Sequence, residues 1–509
     1  LSILLRRENK GYAFGSDGKL VNHLLFMDDL KLYGKSESEL EDLIEVVSTF
    51  SKDIGMEFGL DKCGVLVIER GVKVKHEGIK LPDGKVMKEI DDDGYKYLGI
   101  LEGATILNKE MKKKVKDEYL RRVKCVAKSR LYAGNLIKAI NVWAVSVIRY
   151  SAGILEWSTG DLHQLDVDTR KALTLHGAFH RNSTVHRLYM KRNEGGRGLL
   201  SVEACVRAEE IGLSEHVLAS DEWMLKAVSE TMSVEETKKD YLERIAKERK
   251  ESLMQMKYHG EWLKDVEGVA DERSWQWVKG GFLSKGVESF VFAAQEKCIG
   301  TRYWRGTIGK EKLDMKCRVC GEGNELVPHL TSCCSGLRQR EFKRRHDRVG
   351  LRVYWELCRK YGLKVADVWY KEVPDEVRKS DDGKVEIWWD RKVETAKSLE
   401  CNRPDVVVFD RRGDKWECLI VDFAVPWDAN VVKTEKEKIS KYAPLAREMR
   451  KQKHNMYTKV IPIVVGCLGV VSRNLSGYVE MLGIPDVLGG LQTSAIIGTQ
   501  AILKKVLSL

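Results

Sequence analysis

The sequence predicts a multidomain α+β chain, and three observations carry that expectation. At 509 residues it exceeds one ordinary domain. A hydrophobic fraction of 43% supports globular cores. Short β-branched runs punctuated by turn residues alternate with charged segments of high helix propensity, so strands and helices are both required. The net charge of +11 suits a polyanionic partner. The twelve cysteines mostly lack the spacing of a disulfide framework and no secretory signal is visible, which points to a reducing compartment, cytosol or nucleus. The longest apolar runs, such as residues 461–471, are too short to span a membrane and contain Gly466 and Gly469.

The stretch from Asn402 to Tyr442 is the most informative. Val406 to Phe409 and Cys418 to Val421 read as two buried strands joined by a turn at Arg411-Arg412-Gly413-Asp414. Pro426 breaks the pattern, and a charged helical segment follows. Asp405 opens the first strand and Asp422 closes the second, so a hairpin sets the two carboxylates side by side. Such a pair is costly without a cation between them, and Mg²⁺, an oxygen-seeking ion that keeps waters, fits the place. Lys438 and Tyr442 are four residues apart and share a helical face. Two carboxylates and a lysine are the working set of a metal-dependent phosphodiesterase.

The order Pro404-Asp405, Asp422, lysine resembles the PD-(D/E)xK nucleases. Their usual lysine position, two residues after the second acid, is Ala424 here. A lysine moved to the next helix in a KxxxY pattern, as at Lys438–Tyr442, resembles the restriction-like endonuclease of non-LTR retrotransposons, with Lys441 as a nearby alternative.

Further blocks extend that resemblance along the chain. His23 to Tyr33 reads as a tight hairpin with Asp28 and Asp29 at its tip, following a hairpin from Tyr12 to Leu20 around Ser16-Asp17-Gly18. Ser36 and Glu39 form a capping-box pattern, and Leu40, Leu43, Ile44, Val47, Phe50 and Ile54 follow helical spacing. A Gly-Leu-Asp-Lys-Cys block (residues 59–63), a strand over 64–68 and Tyr95-Lys96-Tyr97-Leu98-Gly99 come next. As a set these resemble the second half of a non-LTR reverse transcriptase palm, with Asp28 and Asp29 in its catalytic hairpin and Asp28 as a Mg²⁺ ligand. The family's third aspartate has no counterpart. Upstream of Asp28 the only aspartate is Asp17, in a turn, so the chain is expected not to polymerise dNTPs alone.

Residues 108–160 are helical and basic, and Lys112, Lys113, Lys114 and Arg121 fit a thumb that grips phosphates. Tyr119, Val123, Val126, Leu131 and Leu136 are its apolar face. Residues 210–310 form a charged helical linker expected to bury Trp262, Trp275, Trp277, Phe282, Phe290, Tyr303 and Trp304. Cys317, Cys320, His329 and Cys334 have the donor types and spacing of a closed, structural Zn²⁺ knuckle, with Cys333 as a substitute for Cys334. Arg338, Arg340, Lys343, Arg344, Arg345, His346 and Arg348 then crowd one helix, a dense cluster that suits a nucleic acid. A helix over 353–361, an undecided segment at 386–390, a helix running past Tyr442 to about Met456, a strand over 460–466 and two closing helices, 472–482 and 491–507, complete the prediction.

The expected organisation is therefore a partial palm (1–102), thumb and post-thumb helices (103–205), a helical linker (206–310), a CCHC knuckle with its basic helix (311–348) and an α/β restriction-like nuclease (349–509). Leu1 falls in mid-element, which suggests part of a longer polyprotein. The resemblance implies a nucleus-acting endonuclease that nicks target DNA to prime reverse transcription of an element RNA. A non-catalytic nucleic-acid binder and an inert relic are the alternatives.

Overall fold

The computed structural model describes residues 1–509 except 16, 17, 231, 366, 369, 371, 414, 415 and 453–455. Asp17 and Asp414, with the turns expected around them, thus lie outside the described residues. The chain is mixed α+β, 51% helical with small sheets. It divides into two compact units, residues 1–123, 142–169 and 200–245 in the first and 124–141, 170–199 and 246–509 in the second, so the expected thumb segment contributes to both. Among the described residues no helix is long and apolar enough to cross a membrane.

Among the described residues the first unit carries five two-stranded antiparallel hairpins, which do not join into one sheet. His23–Phe26 pairs with Asp29–Leu32, leaving Met27 and Asp28 as the connection, and Met27 adopts a left-handed φ of 55°. The strand expected over 64–68 is displaced to Val67–Glu69. The helix Glu37–Asp53 starts as its sequence dictates. Ser36 Oγ accepts from the Glu39 amide at 3.2 Å, while the Glu39 carboxylate accepts from the Lys35 amide at 2.9 Å, one residue earlier than a strict capping box. Leu43, Ile44 and Val47 are buried, whereas Ile54 lies past the helix end and is exposed. On the helix Asn108–Lys128, Tyr119 and Val123 are buried, and the Tyr119 hydroxyl is 2.8 Å from Thr169 Oγ1. Asp166 caps the helix Val202–Ala219, accepting from Ser201 Oγ and the Val202 amide, both at 2.8 Å.

The second unit joins a helical core to one five-stranded sheet. In the helical core, buried Glu288 accepts from Arg192 at 2.6 Å and Arg197 at 3.1 Å. Trp262, Trp277 and Phe292 pack with Cys317, Cys334, Leu330, Ile496 and Leu503. Two apolar expectations fail here: Phe282 and Leu131 are exposed.

The elements of the sheet region are α1 (Lys343–Lys360), β1 (Val377–Lys379), β2 (Val385–Trp389), β3 (Val406–Asp410), β4 (Trp416–Ala424), α2 (Val431–Gln452), β5 (Met456–Val464) and α3 (Leu488–Leu507). Strand order is β1-β2-β3-β4-β5, antiparallel except for β4 and β5, which run parallel and are linked by α2. The undecided segment 386–390 is thus mostly strand β2. The helix expected to reach Met456 stops at Gln452, because Met456 already pairs with Trp416. Pro462 is tolerated because β5 is an edge strand. Of the closing helices, one shrinks to Leu475–Met481 and the other starts earlier, at Leu488.

Side chains alternate across this sheet with period two. Val406, Val408, Leu419, Val421 and Phe423 face α1 and α3, in a core with Val349, Val353, Leu357, Leu488 and Leu491. Val407, Cys418 and Ile420 face α2, with Tyr442, Leu445 and Met449. Gly350 permits the close approach of α1: a Cβ there would lie 2.9 Å from the Phe423 ring.

Candidate functional site

The alternation decides where the acids go. In β4, Asp422 follows Cys418 and Ile420 onto the α2 face. In β3, Val406 pairs with Val421, and continuing that register one step sets Asp405 beside Asp422. The strand is longer than expected, running to Ala424, so Asp422 lies two residues inside its end. Asp405 Oδ2 accepts from the Phe423 amide at 2.7 Å, fixing its carboxylate at the hairpin's edge.

The helical pair arrives from α2. The Lys438 ammonium forms an ion pair with Asp422 Oδ2, whose side chain is 2% exposed. Lys441 Nζ stands farther off, 4.0 Å from Asp422 Oδ1, and is twice as exposed as Lys438. Of the two lysines, Lys438 is the direct partner. Tyr442 is fully buried and its hydroxyl donates to the Arg403 carbonyl at 3.0 Å. It braces the backbone just before Asp405, and its hydroxyl also lies within reach of the Asp422 carboxylate.

A fifth member, His346, is read from the sequence only as part of the basic cluster, not as a neighbour of the carboxylates. His346, on α1, places Nε2 3.2 Å from both Asp405 Oδ2 and the Phe423 carbonyl, and Nδ1 3.1 Å from Asp347 Oδ1. Burial works against its charge, but the two carboxylates prevail and carry its pKa up to about 10. For Asp405, burial is again opposed and outweighed, this time by His346, and the carboxyl is held below its usual range. Asp422 goes the other way. Burial and the neighbouring Asp405 charge push it up against the pull of Lys438. Two acids driven apart in this way behave as one coupled pair. Carboxylate oxygens on adjacent strands are the donors Mg²⁺ takes, but Lys438 and His346 already face them, and among the described residues Asp405 and Asp422 belong to no group of three potential metal ligands.

The knuckle assembles as its spacing predicts. The ligand atoms of Cys317, Cys320, His329 and Cys334 all lie within 4.8 Å of one another, so this Cys₃His group can hold a zinc ion. Cys317 Sγ is 3.8 Å from Cys334 Sγ, and Cys320 Sγ is 3.3 Å from His329 Nε2. Cys333 is exposed and stays outside the group. A π-helical turn over His329–Cys333 brings His329 and Cys334 to the same point, and buried Glu325 clamps the loop by receiving two bonds of 2.8 Å from Arg318.

The basic cluster after it is only partly available. Arg338, Arg340, Lys343 and Arg344 are exposed. Arg345 is not, and its expected phosphate-binding role is corrected: the helical rotation that buries Val349 and Val353 turns it inward, where it is 3% exposed. In the first unit Lys113 and Lys114 are exposed. Lys112, however, lies 3.4 Å from Asp161, and Arg121 is paired with Glu118 at 2.6 Å. Asp28 and Asp29 are exposed at their hairpin, and among the described residues they belong to no group of three potential metal ligands.

A second group, His259, Glu296 and Cys298, also comes together. Buried Arg187 supplies the explanation. Its guanidinium lies 4.6 Å from the Phe292 ring centre and interacts with Glu296, so the carboxylate already serves as counter-charge to a buried cation.

A scan of known protein families finds no match to this chain, and a search of curated proteins finds none either.

Proposed function

We propose that residues 349–509 form a metal-dependent DNA endonuclease that nicks target DNA, within a chain resembling the C-terminal part of a non-LTR retrotransposon polyprotein. The observation that carries the reading is the meeting of Asp405, Asp422 and Lys438 at one edge of the sheet. Asp405 and Asp422 would hold Mg²⁺, which when bound supplies charge neutralisation and an activated water. The chain's own residues do the rest. Lys438 neutralises Asp422 at rest and stabilises the charge that gathers on the scissile phosphate. His346 fixes the Asp405 carboxylate, and Tyr442 holds the strand start through the Arg403 carbonyl.

The zinc knuckle is structural in this reading, since four ligands leave no open position. Arg338, Arg340, Lys343 and Arg344 bind phosphates without reading sequence. Lys113 and Lys114 hold the element RNA or the template–primer. Asp28 and Asp29 belong to an incomplete polymerase site that does not turn over dNTPs without a third carboxylate. Nicking followed by priming places the action in the nucleus. Incubation with supercoiled plasmid tests the proposal: open circles form in Mg²⁺ and not in EDTA. Plasmid retained on the protein but never nicked would leave a nucleic-acid binder and end the nuclease reading.

A further inference from the structure

We infer that Arg345 is a positioning residue through which zinc occupancy of the knuckle sets the geometry of the Asp405–Asp422 pair. The inference rests on the reading of those carboxylates as a divalent-cation site.

Among the described residues no carboxylate accepts a hydrogen bond from Arg345, and Asp428 favours its charge only from a distance. Its Nη2 donates to the Thr331 carbonyl at 2.7 Å and to the Val425 carbonyl at 3.0 Å, and its Nη1 donates to Thr499 Oγ1 at 2.9 Å. One guanidinium thus ties together three segments far apart in sequence. Thr331 is the middle of the π-helical turn that begins at His329 and is followed by Cys334, two members of the Cys₃His group. Val425 follows the last residue of β4, three positions after Asp422. Thr499 belongs to α3, and the preceding Gly498 leaves room for the arginine stem: a Cβ there would meet Arg345 Cγ at 2.6 Å. The next residue of α1 is His346, which grips Asp405 and the Phe423 carbonyl.

Two consecutive side chains of α1 therefore bridge the zinc turn to both carboxylate-bearing strands. A buried guanidinium bonded only to neutral acceptors is expensive, and breaking one of its three attachments leaves a charged donor unsatisfied. Without zinc the 329–333 turn loses the two ligands that hold its ends, and the Thr331 carbonyl is no longer fixed. Arg345 then releases the end of β4, and the carboxylate pair loses its spacing. Lysine cannot replace Arg345, because a single ammonium does not span the planar fork that reaches Thr331, Val425 and Thr499 together.

The experiment uses the full chain without nucleic acid. Mn²⁺ affinity is read by electron paramagnetic resonance, and the His346 ring by NMR after histidine labelling. Three samples are compared: the zinc-loaded protein, the zinc-stripped protein and zinc-loaded Arg345→Lys. Outer-shell groups typically change metal affinity about 10-fold or more. Stripping zinc and Arg345→Lys should each weaken Mn²⁺ binding by about that factor and move the His346 resonance, while Arg345→Lys keeps its zinc. Unchanged affinity and an unmoved resonance in Arg345→Lys would overturn the inference. A double Asp405→Asn, Asp422→Asn protein that still binds Mn²⁺ as the parent does would instead remove the carboxylate reading. In that case the His346 resonance alone decides whether the bridge exists.

Discussion

Replacing Lys438 by methionine should separate metal binding from turnover. The substitution keeps the stem of the side chain and deletes the ammonium beside Asp422. Asp422 is almost completely buried, so it cannot recover its lost partner from solvent. Removing one member of a buried ion pair costs about 3–5 kcal/mol. Lys441, already 4.0 Å away, offsets part of that, which puts the expected loss near the lower end, about 3 kcal/mol. The loss should appear in urea unfolding followed without divalent ions and should shrink when Mn²⁺ is added, because a bound cation now replaces the ammonium. Mn²⁺ affinity should rise at least roughly 10-fold, since about 1.4 kcal/mol of relieved repulsion suffices for that factor. Nicking of plasmid should nevertheless fall by about 100-fold or more, as befits loss of a group that stabilises transition-state charge. Parental stability together with parental Mn²⁺ affinity would refute the argument that Lys438 holds Asp422. Parental nicking would pass its chemical role to Lys441 or remove it.

Other outcomes follow from the same geometry. Elemental analysis should find one zinc per chain in the parent, lost in Cys317→Ser and retained in Cys333→Ser. Asp428 is fully buried, and burial pushes its pKa up to about 6 although Trp262 Nε1 and the Leu468 and Val470 amides donate to it. Its folded value exceeds the unfolded one, so the folded state holds the extra proton. This group's contribution is therefore intact at about pH 4 and declines as pH rises through 6. Two pH units at about 1.4 kcal/mol each make about 3 kcal/mol. Asp428→Asn should flatten that slope in unfolding measured between pH 4 and 7. Finally, the purified chain should incorporate no dNTP on a primed RNA template, and templated extension would restore a polymerase role for Asp28 and Asp29.

How far the sequence foretold the site depends on which residues are asked. Alternation along Cys418–Asp422 and the four-residue step from Lys438 to Tyr442 both report local periodicity, and local periodicity is what a sequence displays directly. The knuckle was legible because donor types and spacing constrain a tetrahedral site tightly. His346 and Arg345 were harder, being embedded in a run of basic residues that look alike. Yet a signal was there. Stepping back four residues from the buried Val349 reaches Arg345, and the same step from buried Gly350 reaches His346. The apolar stripe of α1 continues into the basic run and marks which cations turn inward. The hairpins at 12–21 and 23–32 were legible from their turns and alternation, but that they stay separate was not, because whether neighbouring strands join depends on packing between distant segments that propensity does not encode.

The position of α3 bears on how this protein is made. Its first half, through Leu488, Leu491 and Ala495, completes the packing over the sheet, while Ile496, Ile502, Leu503 and Val506 complete the packing around the zinc turn. Neither region is finished until this helix has left the ribosome. A message cut short upstream of Leu488 yields a nascent chain with both cores open, exposing the apolar surface that this helix would have covered.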